Sequence, residues 1–417
     1  MPTPLTNSPP ASGFSLTTSC APTARLRVAF VAVSYTAQRD GVSIYAENLL
    51  LEILRQAPRQ GLALQVDIFV CGRAAGVLEN ILRQEDAITP EIRIVATVYD
   101  GPLIKYLGVP LRLRSHGPYD CIFVPNLQPL WLPARRTLGV LHDLTYQVAG
   151  AYFPSWRVRY MDLLTRFWLW RGMTIGCISR TTMHDLERFY PTSCSRPHPY
   201  LPNGLPAKLA TAPRPGRKET EQKFTATPLE LIFVGRLNHL KGFDRVRSVC
   251  LRLSEYGAAW GIEVTLHVVG KDTPESPQLL AELRLPRIRL IRHGYLDDRA
   301  LNELYRRSGF CLLLSRNEGF GLPLLEAIRQ CCVPLLSDIA IFREVMGPEY
   351  SLFAGDAAGI DGLVEFVHRI RTDQMYRGDV LNRMDRVLAV WEGGYSQAAR
   401  NMLAWATGNA ESIGEGA

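Results

Sequence analysis

The amino-acid sequence predicts an α/β protein with two domains, each built on a parallel sheet. Near-continuous apolar runs, such as Leu26–Val33 and Phe310–Leu314, are typical of parallel strands that are buried on both faces. Such runs alternate along the chain with glycine-containing loops and segments of helical periodicity, which indicates doubly wound units. The 417 residues are enough for two domains of ordinary size.

Composition narrows the class of protein. Hydrophobic residues make up 47% of the chain and charged residues 21%, as in ordinary globular proteins. The formal net charge of +7 permits nucleic acid, anionic lipid or phosphorylated substrates as partners. We expect no nucleic acid, because the sequence has no zinc-type Cys/His spacing and no basic low-complexity tail. We also expect no membrane span, because no apolar run reaches roughly 18 residues.

The cysteines and the chain ends add three expectations. The nine cysteines lie mostly in strand-like runs, so we interpret them as buried thiols in a reducing compartment, which favours the cytoplasm. Residues 1–23 are rich in Pro, Ser and Thr and lack the basic start and apolar core of a signal peptide. They are predicted to form a disordered leader. Residues 408–417 are a small, acidic tail.

The first domain is predicted to span residues 24–205. Its first strand, Leu26–Val33, leads through a loop into a helix at Val42–Leu54. This is a Rossmann-like opening, although the Gly-x-Gly-x-x-Gly fingerprint of dinucleotide binding is absent. Gly41, at the end of the loop, fits a helix-entry turn and a ligand-binding loop equally well. Further strands are predicted at Ala63–Val70, Ile92–Ala96, Cys121–Val124, Gly139–Leu141 and Met173–Ile178.

Polar residues follow the last two of these strands. His142 comes directly after Leu141, and α/β sheets bind ligands beyond this end of their strands. A histidine there is either structural or part of a ligand site, whereas Asp143 is expected to act in the loop or as a helix cap. Ser179 is predicted to be the N-cap of a helix at Thr181–Phe189.

The segment Tyr152–Arg171 is both aromatic and basic. Its aromatic and basic residues are Trp156, Phe167, Trp168 and Trp170, and Arg157, Arg159, Arg166 and Arg171. Only Asp162 opposes these charges. The interpretation we favour is a helix with one face in the core and its arginines in water. The alternative is a helix that lies on an anionic membrane surface.

A polar stretch at residues 206–227 has little apolar periodicity and is predicted to link the domains. The second domain is predicted to span residues 228–392, with a first strand at Leu231–Val234. The loop after this strand carries Arg236 and Lys241. Arginine offers phosphate a fork of donors and lysine a point charge, so these residues either bind a phosphate or are simply solvated.

The glycine turn in Leu314–Ile328 is the most informative pattern. An apolar strand turns there through Gly319 and Gly321 into a helix whose first turn suits Pro323. The glycines let the backbone approach a ligand, and the free N–H groups of a helix start favour an anion such as a phosphate.

Two carboxylates flank this turn. Glu318 precedes it, and Glu326 is expected inside the first helical turn. Both can accept hydrogen bonds from hydroxyl groups, which sugars carry in number. The stretch therefore indicates a site for a phosphate flanked by sugars, with a surface turn and two solvated acids as the alternative.

The decapeptide Glu318–Ala327, Glu-Gly-Phe-Gly-Leu-Pro-Leu-Leu-Glu-Ala, resembles the signature of retaining glycosyltransferases of family four. Among these, the chain resembles bacterial mannosyltransferases of surface polysaccharide synthesis, and the resemblance extends over residues 26–406. It implies the GT-B fold, in which two Rossmann-like domains have parallel sheets that face an interdomain cleft. It also implies that a last helix within residues 393–407 packs back on the N-terminal domain.

The resemblance further implies roles for residues in the cleft. His142 and Glu318 would contact the donor sugar, Arg236 and Lys241 the diphosphate, and Glu326 the ribose of the nucleotide. These roles make His142, Arg236, Lys241 and Glu318 the catalytic candidates. The base would lie against the backbone at Gly294 and Tyr295, and the other donor-binding positions are Gly41, Gly319, Phe320, Gly321 and Leu322.

The reaction implied by the resemblance moves a hexose from a nucleotide diphosphate sugar to an acceptor hydroxyl, with retention at the anomeric carbon. Mannose from GDP-mannose is the first candidate, and the acceptor is expected to be a glycan or a lipid-linked glycan at the inner face of the cytoplasmic membrane. We expect no metal, because Arg236 and Lys241 can replace one and no Asp-x-Asp ends a strand, and no other cofactor. The alternatives are a sugar-nucleotide epimerase of the same architecture and a non-catalytic sugar-nucleotide-binding subunit.

Overall fold

The computed structural model of the protein describes residues 24–97, 102–195 and 197–409. The predicted leader at 1–23 and residues 410–417 of the predicted tail lie outside the described residues. Within them, the chain forms two six-stranded parallel sheets with helices between the strands.

The first sheet belongs to the N-terminal half of the chain, which we call the first domain. Its strands are β1 (Ala24–Ala32), β2 (Leu62–Cys71), β3 (Ile92–Thr97), β4 (Cys121–Val124), β5 (Thr137–Leu141) and β6 (Thr174–Cys177). The helices are α1 (Gly41–Arg59), α2 (Gly72–Gln84), α3 (Pro102–His116), α4 (Thr145–Val148), α5 (Ser155–Arg171) and α6 (Arg180–Phe189). The strand order is β3-β2-β1-β4-β5-β6.

The second sheet follows two short helices, α7 (Ala207–Ala210) and α8 (Arg217–Thr225). Its strands are β7 (Leu229–Val234), β8 (Val264–Val269), β9 (Ile288–Gly294), β10 (Phe310–Leu313), β11 (Val333–Ser337) and β12 (Leu352–Phe353). The helices are α9 (Phe243–Trp260), α10 (Ser276–Ala281), α11 (Asp298–Arg307), α12 (Leu322–Arg329), α13 (Ala340–Met346), α14 (Ala357–Thr372), α15 (Gln374–Glu392) and α16 (Gly394–Ala406). The strand order is β12-β11-β10-β7-β8-β9. We call this half of the chain, without α16, the second domain.

Both sheets have the same topology when each is counted from its own first strand. The order is 3-2-1-4-5-6, and it reverses between β1 and β4 in the first sheet and between β7 and β10 in the second. Ligands of such sheets bind at this switch point, beyond the carboxyl ends of the strands. The predicted α/β class with two Rossmann-like sheets is confirmed.

The alternation of side chains in β1 explains why this strand is apolar throughout. Phe30 packs into the core on one face of the first sheet, whereas Val31 packs into a separate core on the other face. Successive side chains of a strand point to opposite faces, so a central strand covered on both faces needs apolar residues at every position.

Several local predictions have clear outcomes. The Ser179 side chain accepts a hydrogen bond from the backbone N–H of Thr182, so its role as N-cap of α6 is confirmed. Seven described cysteines are free thiols and six of them are buried, as expected. The stretch predicted as a linker contains α8, whose Phe224 is buried and packs edge-on against Phe310 of β10. No helix among the described residues is long and apolar enough to cross a membrane.

The last helix returns to the first domain. The α16 helix packs along α1, where the Ser396 hydroxyl donates to the Glu52 carboxylate at 2.6 Å. The chain reaches this position through a tight backbone contact: a Cβ on Gly394 would lie 2.0 Å from the carbonyl oxygen of Asn203. Only glycine fits at this contact between the end of the first domain and the start of α16.

Gly394→Ala should therefore destabilise the protein by about 1–3 kcal/mol, because the added methyl group forces the two backbone segments apart. Gly393→Ala is the matched control, since a Cβ at this neighbouring glycine meets nothing within 4 Å. Urea or thermal denaturation of both variants and the wild type checks this. Equal stability of the two variants would show that the contact is not tight in solution.

Candidate functional site

The loops that follow the central strands bring the predicted site residues to the switch points. Lys241 lies on the loop after β7, and Glu318 lies on the loop after β10, on either side of the switch point of the second sheet. His142 follows β5 of the first sheet. Topology therefore explains how residues far apart in sequence come to line one cleft.

The cleft is narrow at Gly319. A Cβ at this position would lie 2.4 Å from the carbonyl oxygen of His142 in the first domain. The next glycine of the turn, Gly321, has φ +84°, a conformation that L side chains rarely adopt. The two glycines of the motif thus serve an interdomain contact and a left-handed turn.

Lys241 and Glu318 form an ion pair. The ammonium group lies 2.6 Å from both carboxylate oxygens, and the Lys241 and Glu318 side chains are only 30% and 14% exposed. The buried hydroxyl of Ser315 donates to the same carboxylate at 2.7 Å. The orientation of Glu318 is therefore fixed by a cation and a hydroxyl donor.

Arg236 lies on the same loop as Lys241 but has a different environment. Its side chain is exposed, and no hydrogen bond or ion pair reaches the guanidinium from the part of the chain that the structure describes. The loop therefore presents one cation that is already paired and one that is available to an anion.

Glu326 is placed differently from the prediction. The expectation that it lies in the first helical turn is wrong, because α12 already begins at Leu322, directly after the left-handed Gly321, and Glu326 is the fifth helical residue. Its carboxyl accepts a hydrogen bond of 3.1 Å from the hydroxyl of the buried Tyr305. Burial raises the pKa of Glu326 to about 7, and the nearby Asp298 adds to the rise, while the Tyr305 hydrogen bond opposes it.

A cavity of about 320 Å³ opens beside Glu326. Residues of α1, such as Ile44 and Asn48, form one wall, and residues of α11, such as Asp298 and Asn302, form another. Residues 206–213 close it on a third side. The cavity is thus shared by both domains, with a carboxyl of unusual pKa at its edge.

His142 is held as a neutral imidazole. Its Nε2 lies 2.7 Å from the carbonyl oxygen of Pro125, which can only accept, so Nε2 carries the proton and Nδ1 is left as an acceptor. Burial lowers the pKa of His142, and the hydrogen bond to Pro125, followed by Asp143 and Asp40, opposes this shift. The ring packs edge-on against Tyr45, with the centroids 5.0 Å apart.

The other predicted donor-binding residues have different environments. Gly41 faces the other domain, since a Cβ there would lie 4.0 Å from Leu322. Gly294, at the end of β9, has φ +67°, and the side chain of the neighbouring Tyr295 is 62% exposed. The Phe320 side chain is buried against Trp391 with ring centroids 4.9 Å apart, so this residue offers the cleft only its backbone.

Sequence patterns did not reveal several residues that join the domains. Arg39, in the loop after β1, forms ion pairs with the buried Glu47 of α1 and with Asp298 of α11, at 2.8 and 2.6 Å. The amide of Asn317 donates to the Thr145 hydroxyl at 2.8 Å. Arg39 follows a strand that the sequence did predict, but a partner 259 residues away leaves no local signal.

Glu344 of α13 makes a further contact between the domains. Its carboxylate accepts hydrogen bonds from the backbone N–H groups of Arg180 and Thr181, at 2.8 and 2.7 Å. These N–H groups begin α6, whose positive dipole end favours a carboxylate. One domain therefore supplies the anion that caps a helix of the other.

No group of three or more His, Cys, Asp or Glu side chains among the described residues is arranged to hold a metal ion. Among the described residues, the charged groups beside the switch point of the second sheet include the guanidinium of Arg236, the Lys241–Glu318 pair and an ion pair between Arg316 and Asp244. Such a site can bind a phosphorylated ligand through its cations and hydroxyl groups through its carboxylates.

Residues 217–384 match the family model of glycosyl transferases group 1. The matched residues run from α8 into α15 and so include most of the second domain. The chain is also homologous to the serotype-specific mannosyltransferase WbdA of Escherichia coli, with 25% identity over 297 residues, which is 68% of this chain and 33% of WbdA. The chain thus spans about a third of the length of the curated relatives that it matches.

Solved structures match most of both domains. A sucrose-phosphate synthase from Thermosynechococcus elongatus has a TM-score of 0.67 and 18% identity, over 93% of this chain and 100% of that one. Anabaena HepE in complex with UDP and glucose has a TM-score of 0.61 and 16% identity, over 93% and 99% of the two chains. WaaG, a glycosyltransferase involved in lipopolysaccharide biosynthesis, has a TM-score of 0.56 and 18% identity, over 93% and 100%. The likeness confirms the GT-B fold of the chain.

Nucleotide affinity should rise with pH through the pKa of Glu326, about 7. In the role that the family resemblance implies, the ionised Glu326 carboxylate would accept hydrogen bonds from two ribose hydroxyls, whereas the protonated form is a poorer acceptor. GDP or UDP should therefore bind about tenfold more tightly at pH 8 than at pH 6, measured by calorimetry. Since the unfolded carboxyl titrates near 4.5, this group also lowers the free energy of unfolding progressively as pH rises from 4.5 to about 7.

Glu326→Gln is the control for this titration. The variant keeps the titration of the nucleotide phosphate but loses that of the carboxyl, so its affinity should depend less on pH than that of the wild type. Proton release on binding, measured in buffers of different ionisation enthalpy, should fall in the same way. Identical pH profiles for the two proteins would exclude Glu326 from the nucleotide site.

Proposed function

We propose that the protein is a retaining, metal-independent glycosyltransferase that moves a hexose from a nucleotide diphosphate sugar to an acceptor hydroxyl. The observation that carries the proposal is the Lys241–Glu318 pair at the switch point of the domain that matches the group 1 glycosyltransferase model, with Arg236 on the same loop unpaired among the described residues. Cations for a diphosphate and a carboxylate for sugar hydroxyls are then adjacent.

The two cations serve the leaving group. As the bond from the anomeric carbon to the diphosphate breaks, negative charge grows on the phosphate oxygens, and preorganised cations stabilise it. Arg236 is available to accept this anion directly, and Lys241 can contact it while it holds Glu318. Two such charges supply the electrostatic stabilisation that a metal ion provides in other transferases.

The sugar and the nucleoside are assigned to different groups. Glu318, fixed by Ser315, and the Nδ1 acceptor of His142 are suited to donor-sugar hydroxyls. Glu326, beside the cavity shared by the domains, is assigned to the ribose hydroxyls. For retention, the acceptor oxygen attacks on the face from which the diphosphate leaves, and the acceptor proton passes to the departing phosphate oxygen. No strong enzymic base is then needed.

Mannose from GDP-mannose is the first candidate donor, supported by the mannosyltransferase WbdA among the relatives. HepE was solved with UDP and glucose, so UDP-sugars belong in the same test. We propose a glycan or lipid-linked acceptor in polysaccharide or glycolipid synthesis, at the cytoplasmic face of the inner membrane. The involvement of WaaG in lipopolysaccharide biosynthesis supports the class of acceptor.

The purified protein should release nucleotide diphosphate from one donor in a panel of GDP- and UDP-sugars, and EDTA should not abolish the activity, because Arg236 and Lys241 replace a metal. The products should be analysed with and without added glycan acceptors. Conversion of the donor sugar alone would indicate an epimerase, and thermal stabilisation by a donor without turnover would indicate a binding subunit. Loss of activity in EDTA that Mg²⁺ restores would contradict metal independence.

Arg236→Ala and Lys241→Ala should each lower kcat by an amount that corresponds to about 2.7–4 kcal/mol in the barrier, because each removes one preorganised charge. Arg289→Ala is the control, since Arg289 is an exposed arginine on β9 of the same domain. Steady-state kinetics and melting curves separate loss of turnover from loss of folding. Folded Arg236 or Lys241 variants with the kinetics of the control would refute the diphosphate assignment.

A further inference from the structure

The inner face of α5 fixes how this helix sits on the first domain. Its buried residues are Leu164, Thr165 and Trp168. Trp168 is 0% exposed, and its indole N–H donates to the carbonyl of Gln128 at 2.8 Å. The ring fills the space above Gly139, where a Cβ would lie 2.3 Å from it. The rotation of α5 about its own axis is therefore determined.

The outer face of α5 carries a second apolar row, which we call the outer stripe. It consists of Trp156, Tyr160, Leu163, Phe167 and Trp170, spaced four, three, four and three residues apart. Trp156, Leu163 and Trp170 are 70%, 65% and 72% exposed. Single exposed apolar residues are ordinary, but a continuous row of this size marks an interaction surface.

Trp131 extends the stripe beyond the helix. It is 56% exposed, and its ring lies 6.0 Å from that of Phe167 and 6.3 Å from that of Trp170. The guanidinium of Arg171 lies 4.1 Å above the Trp131 ring. The rings thus form one aromatic surface with a cation at its edge.

The charges around this surface are almost all positive. Arg157, Arg159 and Arg166 on α5 are exposed. The single acid of the helix, Asp162, is only 24% exposed and is held by Arg166, Gln147 and Tyr190. The partner of this surface must therefore be apolar and anionic at once.

We propose that the outer stripe and Trp131 dock on an anionic membrane surface. Tryptophan and tyrosine rings suit the boundary between headgroups and acyl chains, and the arginines are attracted to anionic lipids. A second copy of this chain fits less well, because a two-fold contact through the stripe would place the same arginines opposite one another.

The surface is connected to the candidate site. Tyr152, just before α5, lies under the Arg316 guanidinium at 5.4 Å, and Arg316 is two residues before Glu318. The start of α5 is therefore next to the cleft, whereas its end leads into β6 at the opposite edge of the sheet. Docking along α5 places the cleft close to the lipid surface, so a lipid-linked acceptor can enter without leaving the membrane. This consequence rests on the proposed function.

The test is flotation of the full chain with phosphatidylglycerol-containing vesicles and with neutral phosphatidylcholine vesicles. The wild type should bind the anionic vesicles, and binding should weaken as salt rises. A variant with Trp156→Ser, Leu163→Ser and Trp170→Ser should bind at least about tenfold less. The control carries Met375→Ser and Val390→Ser on α15, where the side chains are 84% and 71% exposed, and should bind like the wild type.

Donor turnover without lipid, measured on the same proteins, keeps this inference separate from the proposed function. The triple variant should retain the melting temperature and turnover of the wild type. Wild-type protein that fails to float, or a triple variant that floats equally well, would overturn the docking surface while leaving glycosyl transfer intact. A dimer in the wild type that the triple variant abolishes would assign the stripe to a second copy and also overturn it. Normal flotation of a protein that turns over no donor would instead contradict the proposed function and leave the docking surface intact.

Discussion

One close approach of the two backbones across the cleft constrains the rest of the site. At Gly319 the second domain meets the carbonyl of His142, and no side chain can stand between them. Three polar contacts stabilise this approach from different sides: Asn317 with Thr145, Arg39 with Asp298, and Glu344 with the start of α6. Because Glu318 immediately precedes the glycine, the position of its carboxylate relative to the first domain follows from this one contact.

The two carboxylates of the motif are close in sequence but differ in electrostatics. Glu318 forms an ion pair with an ammonium group, whereas Glu326 has a buried phenol and a nearby acid for neighbours and no ion pair with any described residue. A buried carboxyl without a cation is stabilised by keeping its proton. The charge of Glu318 is therefore balanced by an ion pair, whereas Glu326 is stabilised by retaining its proton. In the proposed function, the sugar and the ribose of the donor would then meet different electrostatic environments.

Sequence predicted those parts of the fold that local patterns encode. Buried parallel strands are predicted by apolar runs. The helix starts at Ser179 and Pro323 are predicted because these residue types suit the backbone at the first positions of a helix. The sequence predicted Lys241 from the loop after β7 and Glu318 from the glycine motif, each on its own, but their direct contact depends on the strand order. Arg39 and Glu344 were missed because Asp298 and the start of α6 lie on the other domain. Ser315 was missed because its contact with Glu318 depends on how their shared loop folds. The outward position of Trp156 and Trp170 was also missed, since aromatic residues on a helix are more often buried and only packing at Gly139 decides which face points inward.

The return of α16 to the first domain means that the chain crosses between the domains twice. One crossing leaves at Gly204 and the other comes back at Gly394, and these two points touch: a Cβ on Gly204 would lie 2.8 Å from the backbone nitrogen of Tyr395. Two covalent connections that meet at one place act as a hinge. Any change in the angle between the domains must pivot at this contact. The edge of the cleft that is most distant from Gly204 and Gly394 then moves most, while the backbone at the pivot barely moves.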